Sequence, residues 1–204
     1  MNELSVSIED QDSFLNSLRN NTADSHKQLE ENEISAAILS PEVTIADYQE
    51  YISRMYGVIA GCERKVFPAL SGIFADLSER EKSSLIINDL YKTGLQQAEI
   101  EQLPVCDFDF STTGEALGIM YVLEGSTLGG RVLLKHIQKT LGLGESDGVS
   151  FFYGYGSETG KMWKSFITRF SEYAITNNCE QEVISSAAQT FTVIDGWLSH
   201  GKSL

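Results

Sequence analysis

The sequence predicts an all-α protein built as a single domain. Three observations lead there. Apolar residues recur at spacings of three and four along most of the chain, as one face of a helix requires. Only three prolines, Pro41, Pro68 and Pro104, interrupt 204 residues, which favours long helices. No segment pairs convincingly with another as a strand, and no repeat, low-complexity tract or long linker divides the chain. A chain of this length can bury a full core without disulfides or a structural metal.

The elements follow in order. Residues 1–11 are polar and acidic and read as a frayed terminus, which leaves 12–204 as the helical domain. The first helix is expected from about Ser13, with Ser13 or Asp12 as N-cap. Leu15, Leu18, Thr22, His26 and Leu29 share its inner face. Ser40-Pro41 reads as a stop and restart, with proline in a first turn. Thr44 is a good N-cap for the next helix, whose stripe runs Tyr48, Ile52, Met55, Ile59, Cys62 and Val66 until Pro68 ends or kinks it. Residues 79–99 suggest another helix with a weaker period. Residues 103–112 read as extended chain or loop, with Phe108 and Phe110 plugging a core edge. A long helix covers 113–141, and 141–148 is a turn and loop. An aromatic, glycine-rich connection starts at Phe151. Met162, Phe166, Phe170 and Tyr173 mark the helix after it, and Ile184, Ala187, Phe191, Ile194 and Leu198 mark the last. The total is seven or eight helices.

Composition excludes several classes. A formal charge of -14 repels phosphate backbones and anionic membrane surfaces, so neither nucleic acid nor a membrane is an expected partner. No apolar run approaches a membrane span. The start, MNELSVSIEDQDSF, has neither a basic nor an apolar leader region, so a soluble cytoplasmic protein is expected. Cys62, Cys106 and Cys179 are odd in number and contain no CxxC pair, which fits reduced thiols rather than a disulfide framework or a zinc site.

The long helix carries an anomaly in "YVLEGSTLGGRVLLK", residues 121–135. Gly125, Gly129 and Gly130 lie inside it, and Gly114 and Gly118 lie just upstream. Each interior glycine costs about 1 kcal/mol relative to alanine. Residues 118, 125 and 129 form one narrow stripe with 114 beside it. Such a stripe admits either a second helix at close range or a flat ligand against the backbone.

Of the three histidines, His136 and His200 sit among polar neighbours and read as exposed. His26 falls on the inner face of the first helix, where a satisfied core histidine is the ordinary reading. Glu30 follows it by one turn, however. A carboxylate there can accept the Nδ1–H and leave Nε2 available for a metal. One neutral histidine on a helix can hold heme iron from one side.

These two segments carry a resemblance. "LRNNTADSHKQLE" (18–30) resembles the proximal-helix motif of heme oxygenases, and "ALGIMYVLEGSTLGGRVLLK" (116–135) resembles their distal-helix motif. The likeness is to the bacterial branch, including enzymes that supply biliverdin to bacterial phytochromes, and it extends over roughly 13–199. It implies a multi-helix bundle with heme between a proximal and a distal helix, and opening of heme to biliverdin with release of CO and ferrous iron. Heme would be substrate and cofactor together. O2 and an electron donor, such as ferredoxin or an NADPH-dependent reductase, would be partners, with a bacterial phytochrome as one acceptor of biliverdin. By the same resemblance His26 matches the iron ligand and Glu30 its orienting carboxylate. Gly125 and Gly129 match the glycines over the distal heme face, and Tyr121 lines the same site. Arg19 and one of Lys164 and Arg169 are candidates for the heme propionates. Many family members carry an aspartate after the first distal glycine, where it orders water for proton delivery. Ser126 stands there in this chain.

Three other readings are open to the sequence. Ser126 keeps a non-catalytic heme-binding protein on the same scaffold in view. A thiamin-degrading enzyme of similar helical architecture would need a catalytic cysteine, whereas Cys62 lies on an apolar stripe. A di-iron carboxylate protein would need Glu-x-x-His pairs, and neither His26 nor His136 has one. The acidic surface bears on the donor as well, because two acidic proteins repel unless their contact patches differ from their averages.

Overall fold

The computed structural model describes residues 6–144 and 147–200, and these contain helices, turns and coil but no strand. Helix α1 spans Ile8–Glu31. It starts before the position the apolar pattern suggests, because Ser7 rather than Ser13 is the N-cap. The Ser7 hydroxyl accepts the Asp10 N–H at 3.1 Å, and Glu9 and Asp10 sit in the first turn, where the helix dipole favours negative charge. Residues 8–11, expected to fray, therefore belong to the helix, while 1–5 lie outside the described residues. Asn32 ends α1 and caps the short α2, Glu33–Ile38.

Pro41 does not restart a helix. It lies in a turn, and α3 (Ile45–Gly61) begins after Thr44, which forms a reciprocal capping box with Asp47. Pro68 neither stops nor sharply ends that line. The chain passes through one π-helical stretch, Cys62–Val66, into α4, Phe67–Leu70. Proline lacks an N–H and crowds the carbonyl four residues back, and a widened turn just before it relieves both problems.

The helix expected over 79–99 is divided. A 3-10 turn at Leu77–Arg80 precedes α5 (Ser83–Thr93), and Gly94 ends α5 at φ +113° before α6, Gln97–Ile100. Glycine takes this left-handed cap without the strain a side chain would bring. Residues 103–110 have no regular secondary structure, in line with the extended chain or loop expected, and lie along α3, where the Cys106 N–H donates to the Gly57 carbonyl at 3.0 Å. Phe108 is buried and Phe110 packs against the core edge.

Helix α7, Thr113–Leu141, is continuous through its glycines and is fixed at both ends. Thr112 and Glu115 form its capping box, and Gly142 closes it at φ +70°. After it come α8 (Ser150–Tyr153), α9 (Thr159–Thr176) and α10 (Glu180–His200). The described residues thus form ten α-helices, more than the seven or eight expected, because the short α2, α4, α6 and α8 stand as separate elements, α4 set off from α3 by the π-helical stretch. None is long and apolar enough to cross a membrane.

α7 and α10 form the central pair. A Cβ on Gly118 would lie 2.7 Å from both the Ser186 Cβ and the Val183 carbonyl oxygen, so the two backbones meet where α7 has no side chain. The Ser186 hydroxyl completes the contact by donating to the Glu115 carbonyl at 2.7 Å. α1 and α9 close the bundle around this pair. Phe14 of α1 stacks on Phe170 of α9 at 5.6 Å, and Phe170 stacks on Tyr121 of α7 at 5.5 Å.

Gly118→Ala should therefore lower the stability of the ligand-free protein by about 1–3 kcal/mol, since overpacking against backbone cannot relax cheaply. Gly129→Ala should raise it by up to about 1 kcal/mol through helix propensity alone. Urea denaturation of the two variants checks both signs.

Candidate functional site

The glycines of α7 are of two kinds. Gly114 and Gly118 lie under α10, where an added Cβ would overlap Glu182, Ser186 or the Val183 carbonyl. Gly130 is also partly explained by packing, since a Cβ there would come 3.3 Å from the Phe152 carbonyl. Gly125 and Gly129 are different. A Cβ on Gly125 would meet only the edge of the Trp163 ring, at 3.8 Å, and one on Gly129 would meet nothing within 4 Å. Helix packing accounts for the first half of the stripe and leaves the second half bare. Bare backbone beside open space is a surface on which a flat group can lie.

On α1, the buried residues Phe14, Leu18 and Thr22 continue at the same spacing into His26. The sequence suggests an inward histidine. The structure instead leaves the His26 side chain 55% exposed. One edge of the ring is held by Phe191 of α10, with centroids 5.2 Å apart and planes near perpendicular. Glu30 Oε1 lies 3.8 Å from His26 Nδ1, within ion-pair reach but longer than a hydrogen bond.

Between these helices the structure brings together Arg19, Tyr121 and Trp163. Burial raises the Tyr121 phenol above its usual range, and the nearby Arg19 charge partly opposes that. Tyr121 also packs on Trp163 at 5.9 Å. Lys164, next to Trp163 on α9, is exposed. Arg169 does not join this group. It lies roughly 120° round α9 from Trp163, and its guanidinium points to the Ile73 carbonyl at 3.5 Å and acts on Asp76.

Ser126 and Thr127 are bonded within the helix. Their hydroxyls donate to the carbonyls of Leu123 and Glu124 at 2.7 and 2.6 Å. Each hydroxyl proton is thereby used, and the oxygens remain as acceptors. The nearest carboxylate on α7, Glu124, is buried and engaged from three sides. Arg80 donates to one oxygen, and Lys82 and Tyr155 donate to the other at 3.2 and 2.8 Å. Burial lowers the pKa of the Lys82 ammonium, while the Glu124 charge pulls it back. Arg80 also binds Asp76, at 2.8 Å. A cavity of about 40 Å³, bordered by Lys82, Ser126, Thr127 and Phe152, lies beside this cluster. It has room for a water molecule and polar groups to hold one.

The other histidines are accounted for. His136, expected to be exposed, is half-buried, and its Nε2–H donates to the Ser40 carbonyl at 2.9 Å. His200 is exposed at the end of α10. Burial raises the thiol of Cys62 far above its usual range and that of Cys106 to about 11. Burial and the neighbouring Glu182 and Glu180 raise the thiol of Cys179 as well, so none of the three is an activated thiolate of the kind a cysteine enzyme uses. The described residues hold no cluster of side chains suited to a di-iron centre.

Several site residues escape a sequence reading. Trp163 lies on the stripe Trp163, Phe166, Phe170 at spacings of three and four, whereas the simpler four-residue period starts at Met162. Arg80 and Lys82 sit in the polar run SEREKSS, which looks like solvated surface. Phe191 carries an apolar signal but nothing to link it to His26.

The family model for heme oxygenase matches residues 12–200. The chain belongs to the heme oxygenase family. Solved structures agree with that fold. The NO- and CO-bound heme oxygenase of Neisseria meningitidis has a TM-score of 0.72 at 22% identity, over 91% of this chain and 89% of that one. The heme oxygenase of Leptospira interrogans has a TM-score of 0.73 at 17% identity, over 92% and 98%. A domain of unknown function with a heme oxygenase-like fold from Shewanella denitrificans has 0.71 at 15% identity, over 90% of each chain. No curated protein matches the chain.

Two outcomes test the polar cluster behind α7. Glu124→Ala removes the carboxylate partner of buried Lys82 and leaves buried Arg80 with Asp76 alone, and should cost about 3–5 kcal/mol in urea denaturation. The hydrogen bond from Arg80 holds the Asp76 carboxyl below its unfolded value of 3.8. Its stabilisation is therefore complete at neutral pH and is lost as the pH falls through the lowered folded value. The stability gap between wild type and Asp76→Asn should accordingly close in strong acid.

Proposed function

We propose that this member of the family is an active heme oxygenase, which opens heme to biliverdin with O2 and external electrons and releases CO and ferrous iron. The observation that carries the reading is the pair Gly125 and Gly129, bare of packing on α7, together with the half-exposed His26 on α1. The residues present fit heme. A cradle that side chains would fill, one imidazole able to ligate, and nearby aromatic and cationic groups are the set this group requires. Heme supplies the iron that activates O2 and the macrocycle that is opened.

The chain's own residues bind, orient and exclude. His26 would offer Nε2 to the iron, and Glu30 favours the tautomer with the proton on Nδ1, which leaves Nε2 free to ligate. An imidazole would hold the iron as a weaker electron donor than a cysteine thiolate. Gly125 and Gly129 would allow the macrocycle to lie against the α7 backbone, where side chains would hold it off. Phe191 fixes the imidazole from the side, and Trp163 and Tyr121 wall the slot. Arg19 and Lys164 carry the charge for the propionates, a role for which Arg169 is turned away. Ser126 and Thr127 can only accept from a water with their spent hydroxyls. Proton delivery thus falls to water rather than to a side-chain acid.

That last point favours a second reading, a heme-binding protein without turnover on the same fold. Ser126 replaces the usual aspartate, and Glu124 is committed to Arg80, Lys82 and Tyr155. Hemin titration followed by ascorbate in air separates the two. Replacement of the Soret band by a biliverdin spectrum establishes the oxygenase, and a persistent Soret band establishes the binder. In both cases His26→Ala should remove the histidine-ligated spectrum while His136→Ala leaves it, and Glu30→Ala should weaken hemin binding by about tenfold. Absence of hemin binding in the wild type overturns both readings.

A further inference from the structure

The chain turns from α1 into α2 at Asn32, shortly after His26. Asn32 is buried and serves both helices, as C-cap of the first and N-cap of the second. Its Oδ1 accepts the Ile34 N–H at 3.0 Å. That bond fixes the orientation of the amide and aims Nδ2 at α10. Nδ2 donates to Asp195 Oδ1 and to Ser199 Oγ, both at 2.7 Å. Gln28 Nε2 donates to the other Asp195 carboxylate oxygen at 3.2 Å. Phe191, Asp195 and Ser199 follow one another at four-residue spacing on α10. One stripe of α10 therefore meets α1 twice, at the His26 ring through Phe191 and at the helix end through the polar cluster.

Capping does not account for this cluster. The α2 cap needs only the Asn32 Oδ1, whereas the Nδ2 bonds reach a helix 163 residues away in sequence. The end of α1 does need an outside hold. Its last turn carries Glu30 and Glu31 and no basic residue, so negative charge sits at the negative end of the helix dipole. The half-exposed His26 ring cannot fix itself, because Glu30 lies beyond hydrogen-bond distance and only Phe191 holds an edge. We propose that Asn32 and Asp195 form a clamp that positions His26, holding the last turns of α1 on α10 so that the imidazole faces the slot from one fixed place. The assignment rests on the heme reading above. α10 is itself seated on the α7 backbone at Gly118, so the clamp ties the helix that carries the imidazole to the helix that carries the bare glycines. Asn32 and Asp195 are positioning residues that act through the α1 backbone. Without their bond the helix frays from Asn32 back towards His26, and the ring keeps its chemistry but loses its place.

Asn32→Asp tests the clamp and spares the cap, since aspartate accepts the Ile34 N–H as asparagine does. It sets two carboxylates face to face where a hydrogen bond stood. N32D/D195N restores an amide–carboxylate pair with the partners exchanged. Asp195→Ala breaks the same contact from the α10 side and carries the test where Asn32→Asp does not fold. Two quantities are read for each protein: the rate of hemin loss to excess apomyoglobin, and backbone hydrogen exchange along α1 without hemin. Asn32→Asp and Asp195→Ala should lose hemin about tenfold faster or more, with faster exchange confined to the last turns of α1. The exchanged pair should bring both readouts back towards wild type. A lower urea midpoint with hemin loss unchanged shows a merely structural role and overturns the proposal. So does failure of N32D/D195N to restore hemin retention, or exchange that quickens evenly through the bundle. Absence of hemin binding in the wild type overturns the heme reading, and the exchange comparison then decides by itself whether the clamp holds the end of α1.

Discussion

The carboxylate of Glu124 is the point on which the site depends. It is withdrawn from water and matched by Arg80, Lys82 and Tyr155. A buried ion group of this kind adds little net stability compared with a well-packed apolar core, yet breaking it leaves charges stranded. Its effect is positional. Glu124 is adjacent in sequence to Gly125 and so lies about 100° away around the helix. α7 is therefore gripped from behind, by residues of the 77–82 segment and of the chain before α9, at the turn where its front is bare. The interior glycines weaken the helix locally, and this grip, the packing on α10 and the caps at both ends offset the loss.

Much of this architecture was legible in sequence because it rests on local rules. The α3 start at Thr44 and the α7 limits at 113 and 141 follow from caps and helical period, and the structure reproduces them. The departures also have local causes. Ser7 was a better cap than the apolar pattern could reveal, Gly94 divided a continuous-looking helix, and Pro68 was absorbed by a π turn. The site was legible where residue type limits chemistry, as with His26 and the glycines of α7. What period alone could not tell was which glycines pack and which stand free, because that depends on α10, more than sixty residues away. Arg80 and Lys82 were hidden for a similar reason. A lysine in a polar run reads as wet until its buried partner, here on another helix, is known.

Family membership and fold do not by themselves decide turnover. One structure of this same architecture is a domain of unknown function, and function resides in sites grafted onto folds. In this chain the groups that would bind heme and those that would govern protons are different residues. His26 on α1 with Gly125 and Gly129 on α7 concern the first, and Ser126, Thr127 and the cavity beside Lys82 concern the second. Affinity and rate can therefore vary independently with little change to the bundle.

The two kinds of glycine on α7 also differ in what selection must preserve. Gly114 and Gly118 are held by folding itself, so any descendant that keeps the bundle must keep them small. No close packing holds Gly125 and Gly129, so on the reading proposed above only the ligand would. A lineage that abandoned heme would be free to fill those two positions, and would gain helix stability by doing so. Side chains at 125 and 129 above intact glycines at 114 and 118 would then be the fossil of a lost activity, readable from sequence in members of this fold whose function is open.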